Sequence, residues 1–151
     1  MTANTGRSNV IYSQFWLDNS SGTLTNLTAY TKAIGDFGLT YETTDVSALS
    51  DAVKNFTKGR PEAGLDITFN LDTVVNAHLD ALSKTTPLSL DIRVGINHAW
   101  ESGEPTFGIS SSATSGYVMT SKITNVDAQE IKCHFDVFGP TAPDYATTAH
   151  T

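Results

Sequence analysis

Four histidines and one cysteine are the side chains best suited to acid–base or nucleophilic chemistry: His78, His98, Cys133, His134 and His150. None of the histidines has the HxH or HxxxH spacing of a metal site. Cys133 and His134 are adjacent in a segment of alternating polarity, and neighbouring residues of a strand point to opposite faces. They therefore cannot act together as nucleophile and base. His78 falls on the apolar stripe of a predicted helix, where a packed histidine with one satisfied nitrogen is expected.

Three acids, Asp66, Asp91 and Asp136, fall on the polar faces of predicted strands. Two of them could form a carboxylate pair of the kind that glycosidases use. Solvated strand faces also carry such acids routinely, and the sequence contains no GxSxG, phosphate-binding or DxDxDG motif. We therefore expect no catalytic residues, no cofactor and no metal.

Composition favours β structure and excludes some partners. Ser and Thr make up 36 of 151 residues, and Thr favours half-buried pleated surfaces. The net charge of −7 argues against a protein that grips nucleic-acid phosphates. No run of about 18 apolar residues and no signal peptide is found, which predicts no membrane association. The length predicts a single domain, 1–151.

Alternating polarity predicts most of the fold. Strands are expected at 10–17, 37–43, 65–71, 88–96, 106–109, 117–126 and 131–138. Residues 23–34 fit either a helical turn or an extended run. A helix is expected at 72–84, capped by Asp72 and packing Val74, Val75, Leu79 and Leu82 against a sheet. The fold class is therefore mainly β (α+β), a two-sheet β-sandwich or partial barrel with a flanking α-helix.

Residues 45–58 are expected to form a short helix, followed by a loop at 59–64. Its apolar residues have no obvious partner in so short an element, so we expect them to contact a neighbouring subunit: Val46, Leu49, Val53 and Phe56. The core is expected at 9–139, with terminal arms at 1–8 and 140–151. The long loop at 98–116 has no assigned role. Long extensions on a small β-domain suggest assembly, although flexible loops in a monomer fit equally well.

Three segments carry a family resemblance: LDNSSGTLTNLTAY (17–30), ETTDVS (42–47) before a Gly-Leu and an alternating strand, and GYVMTSKITNV (116–126) before a strand that ends at Gly139. Together, in this order, they resemble the tail tube (major tail) proteins of long-tailed bacteriophages, whose fold is shared with the type VI secretion tube protein. The resemblance covers residues 9–139.

The resemblance implies a structural protein of the virion tail, assembled in the host cytoplasm. Such subunits form hexameric rings that stack into a tube, with one sheet of each subunit joining a barrel around the lumen. A long loop reaches a neighbouring subunit. The partners implied are tape-measure, tail-initiator and tail-terminator proteins, and DNA passes only transiently during ejection. With a chain of net charge −7, we expect Asp66, Asp91 and Asp136 to face the lumen and to make an acidic wall that repels DNA.

Two other functions are also compatible with the sequence. One is another virion part of the same fold, such as a tail-completion or baseplate-hub subunit. The other is a carbohydrate-binding β-sandwich, which would need Trp16, Trp100 and Tyr117 on one exposed face; Trp16 alternates into the predicted core, which weighs against it.

Overall fold

A computed structural model describes residues 12–87, 89–94, 99–113, 115–127 and 129–151. Within these ranges the chain forms nine strands and one α-helix. In chain order they are β1 (Ser13–Asp18), β2 (Leu24–Asn26), β3 (Thr31–Asp45), β4 (Phe56–Asn70), α1 (Thr73–Ser83), β5 (Leu90–Val94), β6 (Thr106–Ile109), β7 (Gly116–Asn125), β8 (Glu130–Phe138) and β9 (Asp144–Ala146).

The strands form two antiparallel sheets. The five-stranded sheet has the order β2-β1-β5-β6-β9, and the four-stranded sheet has the order β3-β4-β8-β7. The alternating apolar residues of both sheets meet in one core. Phe15 of the first sheet lies 5.8 Å from Phe69 and 6.0 Å from Phe135 of the second, measured between ring centroids. The predicted mainly β, two-sheet architecture with a flanking helix is confirmed.

Helix α1 begins as predicted. The Asp72 side chain accepts a hydrogen bond from the backbone N–H of Val74 at 2.8 Å, which caps the first turn. Val75, Leu79 and Leu82 are buried, as expected, but Val74 is 49% exposed and its predicted packing is wrong. Val74 lies about 100° around the helix axis from the fully buried Val75, on the side that faces solvent. In the described part of the chain, no helix has the length and apolar character needed to span a bilayer.

The predicted helix at 45–58 and loop at 59–64 are wrong. Strands β3 and β4 pair from Thr31 opposite Phe69 up to Asp45 opposite Phe56, and residues 46–55 form the turn of this long hairpin. An isolated helix of this length is marginal in water, whereas pairing satisfies the backbone groups of both strands. Pro61 is tolerated in β4 because pairing with β8 starts only at Gly64.

The C-terminal segment is not a free arm. Residues of β9 pair with β6 (Thr106 opposite Ala146, Gly108 opposite Asp144), which corrects the expected arm at 140–151. Three such pairs are too short a pattern to be visible in the sequence. The expected arm at 1–8, His98 and the ends of the strand predicted at 88–96 lie outside the described residues.

Candidate functional site: the β3–β4 hairpin and two histidine–carboxylate clusters

The turn of the β3–β4 hairpin presents apolar side chains to solvent. Leu49 is fully exposed, Val53 is 76% exposed, and Val46 and Phe56 are 57% and 58% exposed. These are the four residues that sequence analysis assigned to a neighbouring subunit. A turn normally carries polar side chains, so a concentrated apolar group here is typical of an interaction surface. We call residues 46–56 the hairpin tip.

The hairpin tip is held in one conformation by its own polar groups. The backbone N–H of Ala48 donates to the Asp51 carboxylate at 2.7 Å, and the Asn55 side-chain amide donates to the same carboxylate at 2.8 Å. The Asn55 N–H donates to the Ser47 hydroxyl at 2.7 Å. The N–H of Ser47 donates to Asp45 at 2.9 Å, and hydrogen bonds from Ser47 hold the pKa of Asp45 below its ordinary value. A preorganised tip loses less conformational entropy when it binds.

An exposed cluster lies on the outer face of the four-stranded sheet. His134 Nδ1 lies 2.6 Å from Asp66, and His134 Nε2 lies 3.0 Å from Asp136. Hydrogen bonding to Asp66, supported by Asp136, raises the pKa of His134. Asp66 and Asp136 thus each contact His134 and do not form the carboxylate pair that glycosidases use. When His134 is protonated, each ring nitrogen donates to a carboxylate, and the imidazolium has no lone pair for general-base chemistry.

The same outer face also carries basic residues. Lys122 of β7 lies directly opposite Lys132 of β8, two positions along each strand from Thr120 and His134. Both lysines are exposed. The face therefore has an acidic band beside a basic band and is not uniformly acidic.

Asp91 is not on a solvated face. It has no exposed surface, so the expectation that it faces a lumen is wrong. One carboxylate oxygen lies 2.8 Å from His150 Nδ1, and the other accepts from Arg93 Nε at 2.8 Å and from the His150 backbone N–H at 3.1 Å. Asp144 completes the cluster at 2.5 Å from His150 Nε2. A carboxylate tolerates this burial because both of its oxygens are paired.

The three aromatic residues of the carbohydrate-binding alternative do not share an exposed face. Tyr117 is 1% exposed and packs edge-on to Phe135 at 5.3 Å. The Arg93 guanidinium lies 4.0 Å from the Trp16 ring and 5.1 Å from the Trp100 ring. Trp16 thus packs on a neighbouring cation outside the core, and its predicted core position is wrong.

The remaining candidate residues have structural roles. His78 is half-buried with Nε2 2.8 Å from the Asp18 carbonyl, as predicted, and burial lowers its pKa. Cys133 points into the core, where burial raises its pKa to about 12, so it is protonated and unreactive at neutral pH. Among the described residues, no group of three or more His, Cys, Asp or Glu side chains is arranged to hold a metal ion.

Sequence reasoning missed the cluster around His150. Residues 141–151 have no periodic pattern. Asp91 lies 53 positions before Asp144, and His150 lies 6 positions after Asp144. No local signal joins them, because the contact exists only once β9 has paired with β6.

Comparison with known proteins gives a likeness of fold. No protein-family model matches the chain, and no curated protein matches it. Among solved structures, the chain is similar to the anti-feeding prophage cap, described as a tube terminating cap and determined by cryo-EM. The TM-score is 0.61 at 8% sequence identity, and the match covers 98% of this chain and 96% of that chain. At this identity the likeness shows a shared fold that extends over nearly the whole length of both chains.

Proposed function

We propose that this chain is a structural, non-enzymatic subunit of the tail of a phage or phage-like particle. In the proposed assembly, copies of the chain form hexameric rings that stack into the tail tube. The observation that carries the proposal is the hairpin tip, which offers an ordered apolar surface with Leu49 fully exposed. The full-length likeness to a tube terminating cap supports the same class of protein.

The occupant we assign to the hairpin tip is a second copy of this chain. The tip stands at the end of a hairpin with two strands of 15 residues each, long enough to reach past the body of its own subunit. Repetition of this one heterologous contact generates a ring or an open filament, which is what a tail tube requires.

The strand edges of the two sheets support self-association through the four-stranded sheet. The five-stranded sheet ends in β2 and β9, of three residues each. The four-stranded sheet ends in β3 and β7, of 15 and 10 residues. Long open edges invite pairing with another chain, whereas shortening an edge strand weakens such pairing. Joining β3 of one copy to β7 of the next would close a barrel and remove both edges.

In this arrangement the outer face of the four-stranded sheet is the proposed lumen wall. Asp66 and Asp136 stay in the lumen-facing set, and the buried Asp91 is removed from it. DNA would pass this wall only transiently. Tape-measure, initiator and terminator proteins are the further partners proposed, in a virion tail assembled in the host cytoplasm.

A second candidate is the terminal ring of the tube. The likeness to a tube terminating cap favours it specifically. A terminating subunit would form one ring and stop, whereas a tube subunit would add rings without limit. The two candidates share the contacts within a ring and differ only in stacking.

The test is the assembly state of the purified chain, measured by light scattering and negative-stain electron microscopy. We expect rings or tubes from the natural sequence. Leu49→Ser combined with Val53→Ser should leave a monomer with an unchanged melting temperature, because neither side chain is buried in its own subunit.

Val74→Ser is the matched control, since it removes an exposed valine from helix α1, away from the tip. It should assemble like the natural chain. Tubes indicate a tube subunit, and single rings indicate a terminating subunit. A natural chain that stays monomeric at high concentration, or a tip variant that still assembles, contradicts the proposal.

A further inference from the structure

The last eight residues run along the open side of the five-stranded sheet. Strand β9 pairs with β6, and the segment continues with Gly103 N–H donating to the Thr147 carbonyl at 2.7 Å and the Thr106 hydroxyl donating to the Thr148 carbonyl at 3.1 Å. At its end, the Ser111 N–H donates to the Thr151 carbonyl at 2.8 Å. We call residues 144–151 the C-terminal strap.

The strap is anchored at one point by side chains. His150 is only 8% exposed and lies between Asp91, at 2.8 Å, and Asp144, at 2.5 Å. Asp91 belongs to β5 and is also paired with Arg93. The imidazole therefore joins the end of the strap to the interior of the sheet and to the start of the strap.

The charges at this anchor favour a protonated imidazole. Burial of His150 acts to lower its pKa, but the hydrogen bonds to Asp91 and Asp144 outweigh it and raise the pKa above the ordinary value. The charged groups that face His150 are Asp91 from β5, with Arg93 beside it, and Asp144 from β9. The cluster of two carboxylates and two cations is thus balanced when His150 is protonated.

The strap covers an edge that would otherwise be open. All four residues of β6 are buried, and Tyr145 packs on Phe107 with ring centroids 4.8 Å apart. Without the strap, the N–H and C=O groups on the outer edge of β6 would have no strand partner, and the Phe107 ring would lose its contact with Tyr145. Such an edge accepts a strand from another chain.

We propose that the C-terminal strap is a releasable closure of the β6 edge, locked by His150, and that the uncovered β6 is an acceptor for a strand of a second copy. The strap thereby confines self-association to the four-stranded sheet. This last consequence rests on the proposed function, whereas the locking of the strap by His150 does not.

Amide hydrogen exchange of the full-length chain tests the lock. His150→Ala removes the imidazole that pairs two carboxylates, one of them fully buried. We expect exchange in segments 106–109 and 144–146 to accelerate at least about tenfold, because removing one partner of a buried ion pair costs more than the free energy of a tenfold change. Exchange in β4 and β8 should not change.

Two further variants make the result specific. His134→Ala removes a histidine with the same two-carboxylate environment from the exposed face, and it should leave β6 and β9 protected. Thr106→Cys with Ala146→Cys, at directly paired positions, allows the strap to be closed by a disulfide. Added to His150→Ala, the oxidised pair should restore protection of β6, which a globally unfolded protein would not show.

The role of β6 as an acceptor is tested by measuring the mass of the particles that the His150→Ala variant forms in solution. His150→Ala should form additional, concentration-dependent oligomers that persist when Leu49→Ser and Val53→Ser are added, and oxidation of the cysteine pair should abolish them. Unchanged exchange in His150→Ala overturns the lock. Faster exchange without additional oligomers overturns the acceptor role. Either result leaves the proposed hairpin-tip assembly standing, since that assembly is tested separately by the natural chain and by the tip variant with His150 intact.

Discussion

Three histidines of this chain show how local surroundings decide protonation. His78 is half-buried against a backbone carbonyl, and burial lowers its pKa. His134 is exposed between Asp66 and Asp136, and its pKa is raised. His150 is buried, yet its two carboxylates also raise its pKa. Burial alone therefore does not decide the direction of the pKa shift, because carboxylates that accept from the ring can outweigh it.

The first prediction concerns His134. On raising the pH, His134 should lose its proton later than His78. Asp66→Asn should lower the pKa of His134, because a neutral amide oxygen replaces the carboxylate that raises this pKa most. The raised pKa means that the contribution of His134 to stability is complete at acid pH and is lost as the pH rises through that pKa. Titration of the imidazole resonances by NMR measures both values.

His134 is 46% exposed at its side chain, so the effect on unfolding free energy should be small and should weaken with added salt. The matched control is Asp80→Asn, which removes an exposed acid that pairs with Lys84 on helix α1. It should leave the His134 titration unchanged. Equal pKa values for His134 and His78 would contradict the conclusion that Asp66 and Asp136 raise the pKa of His134.

At the scale of elements, the orientation of helix α1 can be tested by comparing two of its residues. Leu79 is 4% exposed, whereas Val74 on the same helix is 49% exposed. Leu79→Asp should lower the unfolding free energy by roughly 3 kcal/mol or more, because it buries an unpaired charge. Val74→Asp, near the helix N-terminus, should cost little. Urea unfolding with unchanged slope measures the difference, and equal midpoints for the two variants would refute the helix orientation.

Periodicity predicted the elements that have one buried and one exposed face. Ile67 and Phe69 alternate with Asp66 and Thr68, and this segment is a strand as expected. The same reasoning failed at 45–58, where the apolar residues at helical spacing belong to the hairpin tip and are mostly exposed. A pattern made by an interaction surface imitates the pattern made by a core, since both place apolar residues together.

The sequence predicted the exposed apolar residues of the hairpin tip better than it predicted the surroundings of the acids. The exposed apolar residues Val46, Leu49, Val53 and Phe56 were singled out because they lacked a partner, and this lack survives the change from helix to hairpin. The acids were chosen by alternation alone, which predicts an exposed position for all three; Asp66 and Asp136 are exposed, whereas Asp91 is buried. Alternation shows which side of a strand a residue occupies and not whether a later segment covers that side.

At the scale of the whole molecule, the charge of −7 does not reside on one face. The outer face of the four-stranded sheet has Lys122 and Lys132 beside the band of Asp66 and Asp136. If this face lines a lumen, stacked rings present alternating acidic and basic bands. Bands closer than a Debye length of about 8 Å partly cancel, so such a wall would neither grip DNA nor repel it strongly.

The last prediction concerns the way that copies join. In the monomer, amides on the outer edges of β3 and β7 have no strand partner within the described residues and should exchange rapidly with solvent. Closure of a barrel through the four-stranded sheet would bond them to the next copy. We therefore expect exchange in β3 and β7 to slow on assembly, with β2 and β9 unchanged as internal controls. The monomer reference is the Leu49→Ser, Val53→Ser variant, whose strands are intact. Protection that appears at β2 and β9 and not at β3 and β7 would place the contact in the five-stranded sheet, where short edges and the C-terminal strap oppose it.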